Sequence, residues 1–352
     1  MINREFRINN FDLLRIFAAT QVVFLHSFTH LKIPFPLWFQ VLEKFPGVPM
    51  FFVMSGFLIS ASWERNTDFK NYFKNRVLRI YPALWVCIIL TVVVISLVGH
   101  VNFFSRPGLM WFLSQSVGII YTPAFLSSYG FGSYNGSLWT IPIELQFYLV
   151  LPVIYFLAYK TTRVEKNRTL IITGLFFLSI VIAYIILAYY SPLELKFETK
   201  LQKITRYTFL PNVYLFLLGI CLQRFKVYQS KLFYGKGIYW VILFLLCNYL
   251  LPDTIFFNMC LKILLGITTI SLAYTLSGVA QKLLKGNDIS YGVYIYHGLI
   301  LGVFVQYKLF GNSANVLVVL SLAYILAFLS WRLIEKPFLK IKSKTIHRVS
   351  EK

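Results

Sequence analysis

The sequence predicts an all-α protein, a polytopic transmembrane helix bundle of about ten spans with both termini cytoplasmic. Three observations predict it. Of 352 residues, 58% are hydrophobic and only 13% charged, about half the charged fraction of a soluble domain. The apolar residues gather into stretches near the ~20 residues that a spanning helix needs. The basic residues, in turn, concentrate in alternate loops.

The apolar stretches lie at 9–30, 46–63, 78–98, 137–158, 168–190, 207–224, 236–252, 257–279, 288–308 and 313–334. The stretch 103–126 differs. It holds Trp111, Phe112 and Leu113 but is broken by Pro107, Gly108, Gly118 and Pro123. It reads as an interfacial or re-entrant segment, with a full span as the alternative. The stretches 236–252 and 257–279 meet at Pro252-Asp253, a tight-turn pair.

Loop charge orients the bundle. With the N-terminus inside, the cytoplasmic segments hold Arg4, Arg7 and Arg15, then the run from Arg65 to Arg79, then Lys160, Arg163, Lys166 and Arg168. Arg224, Lys226, Lys231 and Lys236 follow, with Lys282, Lys285 and the basic residues from Arg332 onward. The one outer cluster is Lys196, Lys200, Lys203 and Arg206, diluted by Glu194 and Glu198. The formal charge of +21 is therefore an orientation signal directed at the lipid bilayer, and no nucleic-acid partner is expected. Residues 1–340 are expected to form a single transmembrane domain and 341–352 a basic cytoplasmic tail. No cleaved signal peptide is expected, since the first stretch contains Asp12, Arg15 and His26 and no small-x-small site follows it. Cys87, Cys221, Cys247 and Cys260 are scattered through apolar stretches and read as packing residues. Neither metal-ligand spacing nor a Gly-rich phosphate loop is present, so no metal is expected.

Ionisable residues inside spans are functional candidates by default. The first span holds three. Asp12 and Arg15 are three apart and share a face. Arg15 and His26 are eleven apart, nearly three whole turns, so they lie on one stripe about 16 Å apart along the axis. His30 is one turn beyond. The plainer alternative is an interfacial Asp12–Arg15 pair and a His26 that hydrogen-bonds a neighbouring helix. Arg76 and Arg79 share a helix face at the cytoplasmic boundary, which suits bidentate phosphate binding and equally an anchor. Ser55-Gly56 permits close helix approach, and Ser55 also offers a hydroxyl. Glu144 and Tyr148 share a face of an apolar helix, and a buried carboxylate there needs a partner such as Arg15 or a histidine. His297 falls in mid-span, and Glu335-Lys336-Pro337 reads as a charged helix end.

In order along the chain, these segments are Asn10-Phe11-Asp12-Leu13-Leu14-Arg15 with His26, Phe51-Phe52-Val53-Met54-Ser55-Gly56-Phe57, and Arg76-x-x-Arg79 with Tyr81-Pro82. Leu138-Trp139-Thr140 with Glu144 and Tyr148 follows, then Ser290-Tyr291 through Tyr294 to His297, then Glu335-Lys336-Pro337-Phe338. Over nearly the whole chain this pattern resembles the acyltransferase-3 family of bacterial membrane-bound O-acyltransferases, in the short form that decorates O-antigen, capsule or exopolysaccharide. Pro49 departs from it where an acidic residue is often found, and Ile141-Pro142-Ile143 replaces a run of small residues.

The resemblance implies an inner-membrane enzyme that moves an acetyl group from cytoplasmic acetyl-CoA to a glycan or lipid-linked oligosaccharide. The implied catalytic residues are His26, Arg15 and Glu144; the implied donor-binding residues are Arg76, Arg79, Ser55 and Tyr148. A neutral His26 would act as base toward a sugar hydroxyl or take the acetyl group itself. Asp12 or Glu144 would orient a histidine or counter Arg15, and Ser55 and Tyr148 would donate to the thioester oxygen. Trp38, Trp111 and Trp139 line the acceptor groove or anchor the interface. A transporter or flippase of a lipid-linked sugar or acyl group is the rival reading, because buried Arg, His and Glu also suit a translocation path. A non-catalytic assembly subunit is the third.

Overall fold

The computed structural model describes residues 9–190 and 208–341. Among them all regular structure is helical. The helices are α1 (Phe11–His30), α2 (Leu37–Leu42), α3 (Gly47–Arg65), α4 (Phe69–Val98), α5 (Arg106–Ser116), α6 (Thr140–Thr161) and α7 (Glu165–Tyr190). After residues 191–207 come α8 (Val213–Arg224), α9 (Gly237–Leu250), α10 (Ile255–Ala273), α11 (Val279–Leu284), α12 (Ser290–Gln306) and α13 (Ala314–Ser330). Each of the ten apolar stretches holds one of these helices. Among the described residues seven helical segments are long and apolar enough to cross a membrane. In the other stretches α8, α9 and α12 have 12, 14 and 17 residues, about 18, 21 and 26 Å against a hydrocarbon core of about 30 Å. The one α-helix of the segment 103–126 is the eleven-residue α5, followed by a short 3-10 turn at Ala124–Leu126; at about 16 Å, α5 is too short for a full span. Arg4, Arg7, the cluster Lys196, Lys200, Lys203 and Arg206, and the tail beyond residue 341 lie outside the described residues.

Local chemistry sets the boundaries. Asp68 caps α4 by accepting from the Lys70 N–H, Ser105 caps α5 from the Gly108 N–H, and Thr254 caps α10 from the Phe257 N–H. Past Ser330 the last helix widens into a π turn, Trp331–Glu335, before continuing to residue 341. Pro337 explains it. The ring lacks an N–H for the carbonyl four residues back and would collide with it, so the preceding turn opens.

The described chain forms two compact units. Among the described residues the first comprises 9–18, Lys44–Thr67, 143–190 and 208–286; the second comprises Ala19–Glu43, Asp68–Pro142 and 287–341. Helices α1 and α6 each begin in one unit and end in the other.

In the first unit α8 is the central strut, buried from Val213 to Gln223. It packs against α3, α7 and α10. The approach to α3 is backbone on backbone. A Cβ on Gly56 would fall on the Phe216 carbonyl, and one on Gly219 on the Val53 carbonyl. Small residues therefore bring these helices together, as Ser55-Gly56 predicts. Phe147 and Phe216 stack at 4.4 Å beside that contact. One end of the unit is tied by Arg224, whose side chain is 1% exposed and pairs with both Glu64 and Glu165. Gln223 and the Tyr155 hydroxyl also donate to Glu64, at 2.9 Å each.

In the second unit α12 is the buried strut, packed on α13 and α4. At Gly292 a Cβ would come within 2.8 Å of the Ala327 Cα. The short α2 presents Leu37, Trp38 and Val41 outward, all more than half exposed, while Phe39 is fully buried. That amphipathic pattern belongs to a helix lying in a membrane interface.

Candidate functional site

The second unit brings three histidines into one row. His26 and His30 are one turn apart on α1, and His297 is fully buried on α12. The His26 Nδ1 lies 3.0 Å from the His297 Nε2. The other nitrogen of His297, Nδ1, lies 3.3 Å from the Val293 carbonyl oxygen. A carbonyl only accepts, so the Nδ1 of His297 bears the hydrogen. The lone pair of a neutral His297 is then on Nε2, where it accepts from the Nδ1–H of His26. That leaves His26 with a lone pair on its own Nε2. Outward along the row, the rings of His26 and His30 meet edge to face at 5.7 Å. His30 in turn stacks on Phe131 at 4.0 Å.

The placement of His297 is over-determined. The Asn135 amide donates to the Ile295 carbonyl at 2.8 Å, and its Oδ1 accepts from the Ser137 hydroxyl at 2.5 Å. That oxygen occupies the space a Cβ on Gly298 would take, so a glycine beside the histidine admits the clamp. The Thr140 hydroxyl donates to the Tyr294 hydroxyl at 3.0 Å, and the Tyr294 ring meets His297 edge-on at 5.9 Å. Tyr129, in the loop preceding the clamp, packs on Gly302. Burial, with Tyr307 adding to it, pushes its phenol up to about 12, so it stays a neutral hydroxyl.

The two arginines expected to hold phosphates have different surroundings. Arg79 donates to the Asp288 carboxylate at 2.5 Å and stands 4.0 Å from Glu335. Both carboxylates are buried, and Glu335 sits on the π turn. Arg76, one turn earlier, lies with its guanidinium 5.5 Å from the centre of the Tyr72 ring.

The first unit contains the remaining catalytic and donor-binding candidates, Arg15, Glu144, Ser55 and Tyr148, while Trp38 and Trp111 belong to the second. Arg15 pairs with Asp12 at 3.3 Å, as their spacing predicts. The Tyr148 hydroxyl donates to Glu144 on the same helix, which gives that carboxylate its partner. Gln146, between them in sequence, accepts from the Phe209 N–H at 2.9 Å. Ser55 is half-buried on α3. Trp111 does not line an open groove: it is fully buried, donates to the Tyr121 carbonyl and packs edge-on against Tyr134. Trp38, by contrast, is 54% exposed on α2 and fits the interface-anchor alternative.

Sequence reasoning missed two partnerships. His297 is visible as a mid-span histidine, but its bond to His26 joins residues 271 apart. Glu335 reads as a helix-end charge, yet it is 2% exposed and turned toward Arg79. In both cases the available signal is the physical rule that a buried polar group needs a partner. Among the described residues no group of three or more His, Cys, Asp or Glu could hold a metal ion.

Comparison with known proteins follows the same outline. The acyltransferase-3 family, described as an acyltransferase domain, matches residues 8–332. Nodulation protein 10 of Rhizobium leguminosarum bv. viciae is 30% identical, covering 97% of this chain and 95% of its own. An O-acetyl transferase of Shigella phage Sf6 is 27% identical, covering 94% and 96%. Peptidoglycan O-acetyltransferase OatA of Listeria monocytogenes is 31% identical over 148 residues, which is 39% of this chain and 24% of the other. No solved structure matches the chain.

Proposed function

The chain belongs to the acyltransferase-3 family and is a membrane acyltransferase, and from that premise we propose that it transfers an acetyl group from acetyl-CoA to a hydroxyl of a cell-surface glycan. The relatives named as O-acetyltransferases, one of them a peptidoglycan enzyme, support the acetyl group and the glycan class. The observation that carries the reading is the His26–His297 hydrogen bond of 3.0 Å. It presents the Nε2 of His26 as an unprotonated acceptor, which is what a general base requires.

The reaction then runs as one proton cycle. His26 Nε2 takes the proton of the acceptor hydroxyl as its oxygen attacks the thioester carbonyl carbon. The C–O bond forms, the C–S bond breaks, and the departing thiolate takes the proton from His26. The products are the acetyl ester and free CoA, with His26 restored. His297 holds the second nitrogen of His26 throughout and fixes the tautomer. Arg76 is the residue proposed to meet the donor's phosphates from the cytoplasmic side, in an inner membrane with both chain ends inside. For Arg15, Glu144, Ser55 and Tyr148 the proposal is that turnover requires each of them.

The test compares surface glycan from cells expressing wild type or His26→Ala, by mass spectrometry, with membrane insertion checked by immunoblot. Loss of one acetyl mass per modified unit from an otherwise intact polymer is the expected result. Unchanged acetylation would sink the mechanism, and loss of the whole polymer would indicate transport. Arg76→Ala is expected to raise the KM for acetyl-CoA about tenfold or more, measured with labelled donor in inverted membrane vesicles.

A further inference from the structure

We propose that Arg79 is a positioning residue that sets the helix carrying His297 and does not itself meet the donor. The inference rests on the acyltransferase reading for its kinetic readout but not for its geometric one.

The guanidinium of Arg79 is already engaged. One of its terminal nitrogens bonds Asp288 at 2.5 Å and the other faces Glu335 at 4.0 Å. These carboxylates are 5% and 2% exposed. A phosphate arriving at Arg79 would have to displace them and leave buried negative charge unpaired, which is strongly unfavourable.

Asp288 does more than neutralise. Its Oδ1 accepts from the Ser290 N–H at 3.1 Å and from the Ser290 hydroxyl at 2.5 Å. It therefore closes the first turn of α12 with one oxygen and takes Arg79 of α4 with the other. Two further bonds fix the same helix. The Tyr291 hydroxyl donates to the Ile80 carbonyl, next to Arg79, at 3.1 Å. The Tyr296 hydroxyl donates to Ser330 at 3.0 Å, whose own hydroxyl donates to Glu335 at 3.2 Å. Arg79 thus sits where α4, the start of α12 and the π turn after α13 converge. His297 lies seven residues beyond Ser290 on the same unbroken helix, about 10 Å along its axis. A rotation or slip of α12 at that junction moves the His297 ring directly, and catalytic geometry tolerates less than about 1 Å of error.

The experiment uses the full chain with Arg79→Gln, the isosteric Asp288→Asn and the double variant. Initial rates against acetyl-CoA are paired with nitrogen-15 spectra of histidine-labelled protein in detergent. Positioning predicts that each single variant lowers kcat by roughly tenfold to a hundredfold with the KM for acetyl-CoA held. It predicts that the double variant is no worse than the singles, and that the His26 and His297 ring nitrogens shift in both. A donor-binding role predicts the opposite signs: KM rises in Arg79→Gln, and Asp288→Asn, which releases Arg79, lowers it. That pattern, or ring signals unchanged in both variants, overturns the proposal. Asp288→Asn decides the matter alone if Arg79→Gln does not fold. If wild type transfers no acetyl group, the acyltransferase reading fails while the ring signals still test the placement of His297.

Discussion

A histidine held by another histidine differs from one held by a carboxylate. The pair carries no permanent charge, so an apolar interior need not solvate an anion, a burden of several kcal/mol. The orientation is as firm, because the His297 tautomer is set by the Val293 carbonyl. Two outcomes follow at this scale. His297→Ala should lower kcat on the order of a hundredfold while leaving the KM for acetyl-CoA close to wild type, since the ring bonds His26 and is not among the residues proposed to meet the donor. Measured rates should also fall on sufficient acidification and recover on return to neutral pH. The sign is fixed by the hydrogen bond. Protonating either acceptor nitrogen removes the lone pair that transfer or orientation needs, so the low-pH form is the inactive one. A rate that rises on acidification would contradict the base assignment. That His26 and Arg15 lie on one helix is legible in the sequence, their eleven-residue spacing being nearly three turns. The His26–His297 bond is not, because nothing local joins α1 to α12. The shared face of Arg76 and Arg79 is legible in the sequence, but the partners of Arg79 lie 209 and 256 residues away, at Asp288 and Glu335.

Among the elements, glycines decide how close helices come. In α8, Gly219→Ala would drive a methyl into the Val53 carbonyl of α3, and neither backbone can yield locally. A loss of about 1–3 kcal/mol is expected, read as a lower thermal midpoint in detergent with the histidine chemistry of the other unit as control. Gly298→Ala acts differently. Its methyl meets Asn135, which is tied to Ile295 and Ser137, so acetylation should fall more than thermal stability does. The Ser55-Gly56 pair advertised close packing in advance, and the ten apolar stretches all became helices. The π turn was hidden. Pro337 announces a break, but only the packed helix shows that the break turns Glu335 inward instead of ending the chain's last span.

For the whole molecule, the loop charges give an orientation that labelling can check. Cysteine placed at Ser133 should react with an impermeant maleimide from outside intact cells, and cysteine placed at Lys166 only after permeabilisation. The reverse pattern would invert the topology and the proposed side of donor entry. Arg224→Ala should destabilise the first unit by roughly 2 kcal/mol, since it strips Glu64 and Glu165 of their shared cation. A thermal midpoint equal to wild type would show that the charges are solvated without it. The division into two units carries no mark in the hydropathy, since α1 and α6 each begin in one and end in the other. One feature of the first unit reaches past the protein itself. Helix α9 is only fourteen residues long, yet it turns Ile238, Ile242, Leu246 and Leu250 outward, with exposed Tyr239 and Tyr249 near its two ends. Those tyrosines are about 15 Å apart along the axis, roughly half the thickness of an ordinary hydrocarbon layer. Were α9 to cross a bilayer, lipid beside this wall would have to compress to meet it, at a fraction of a kcal/mol for each ångström. Membrane thickness would then be a variable of the enzyme, which should be more at ease among short acyl chains than among long ones.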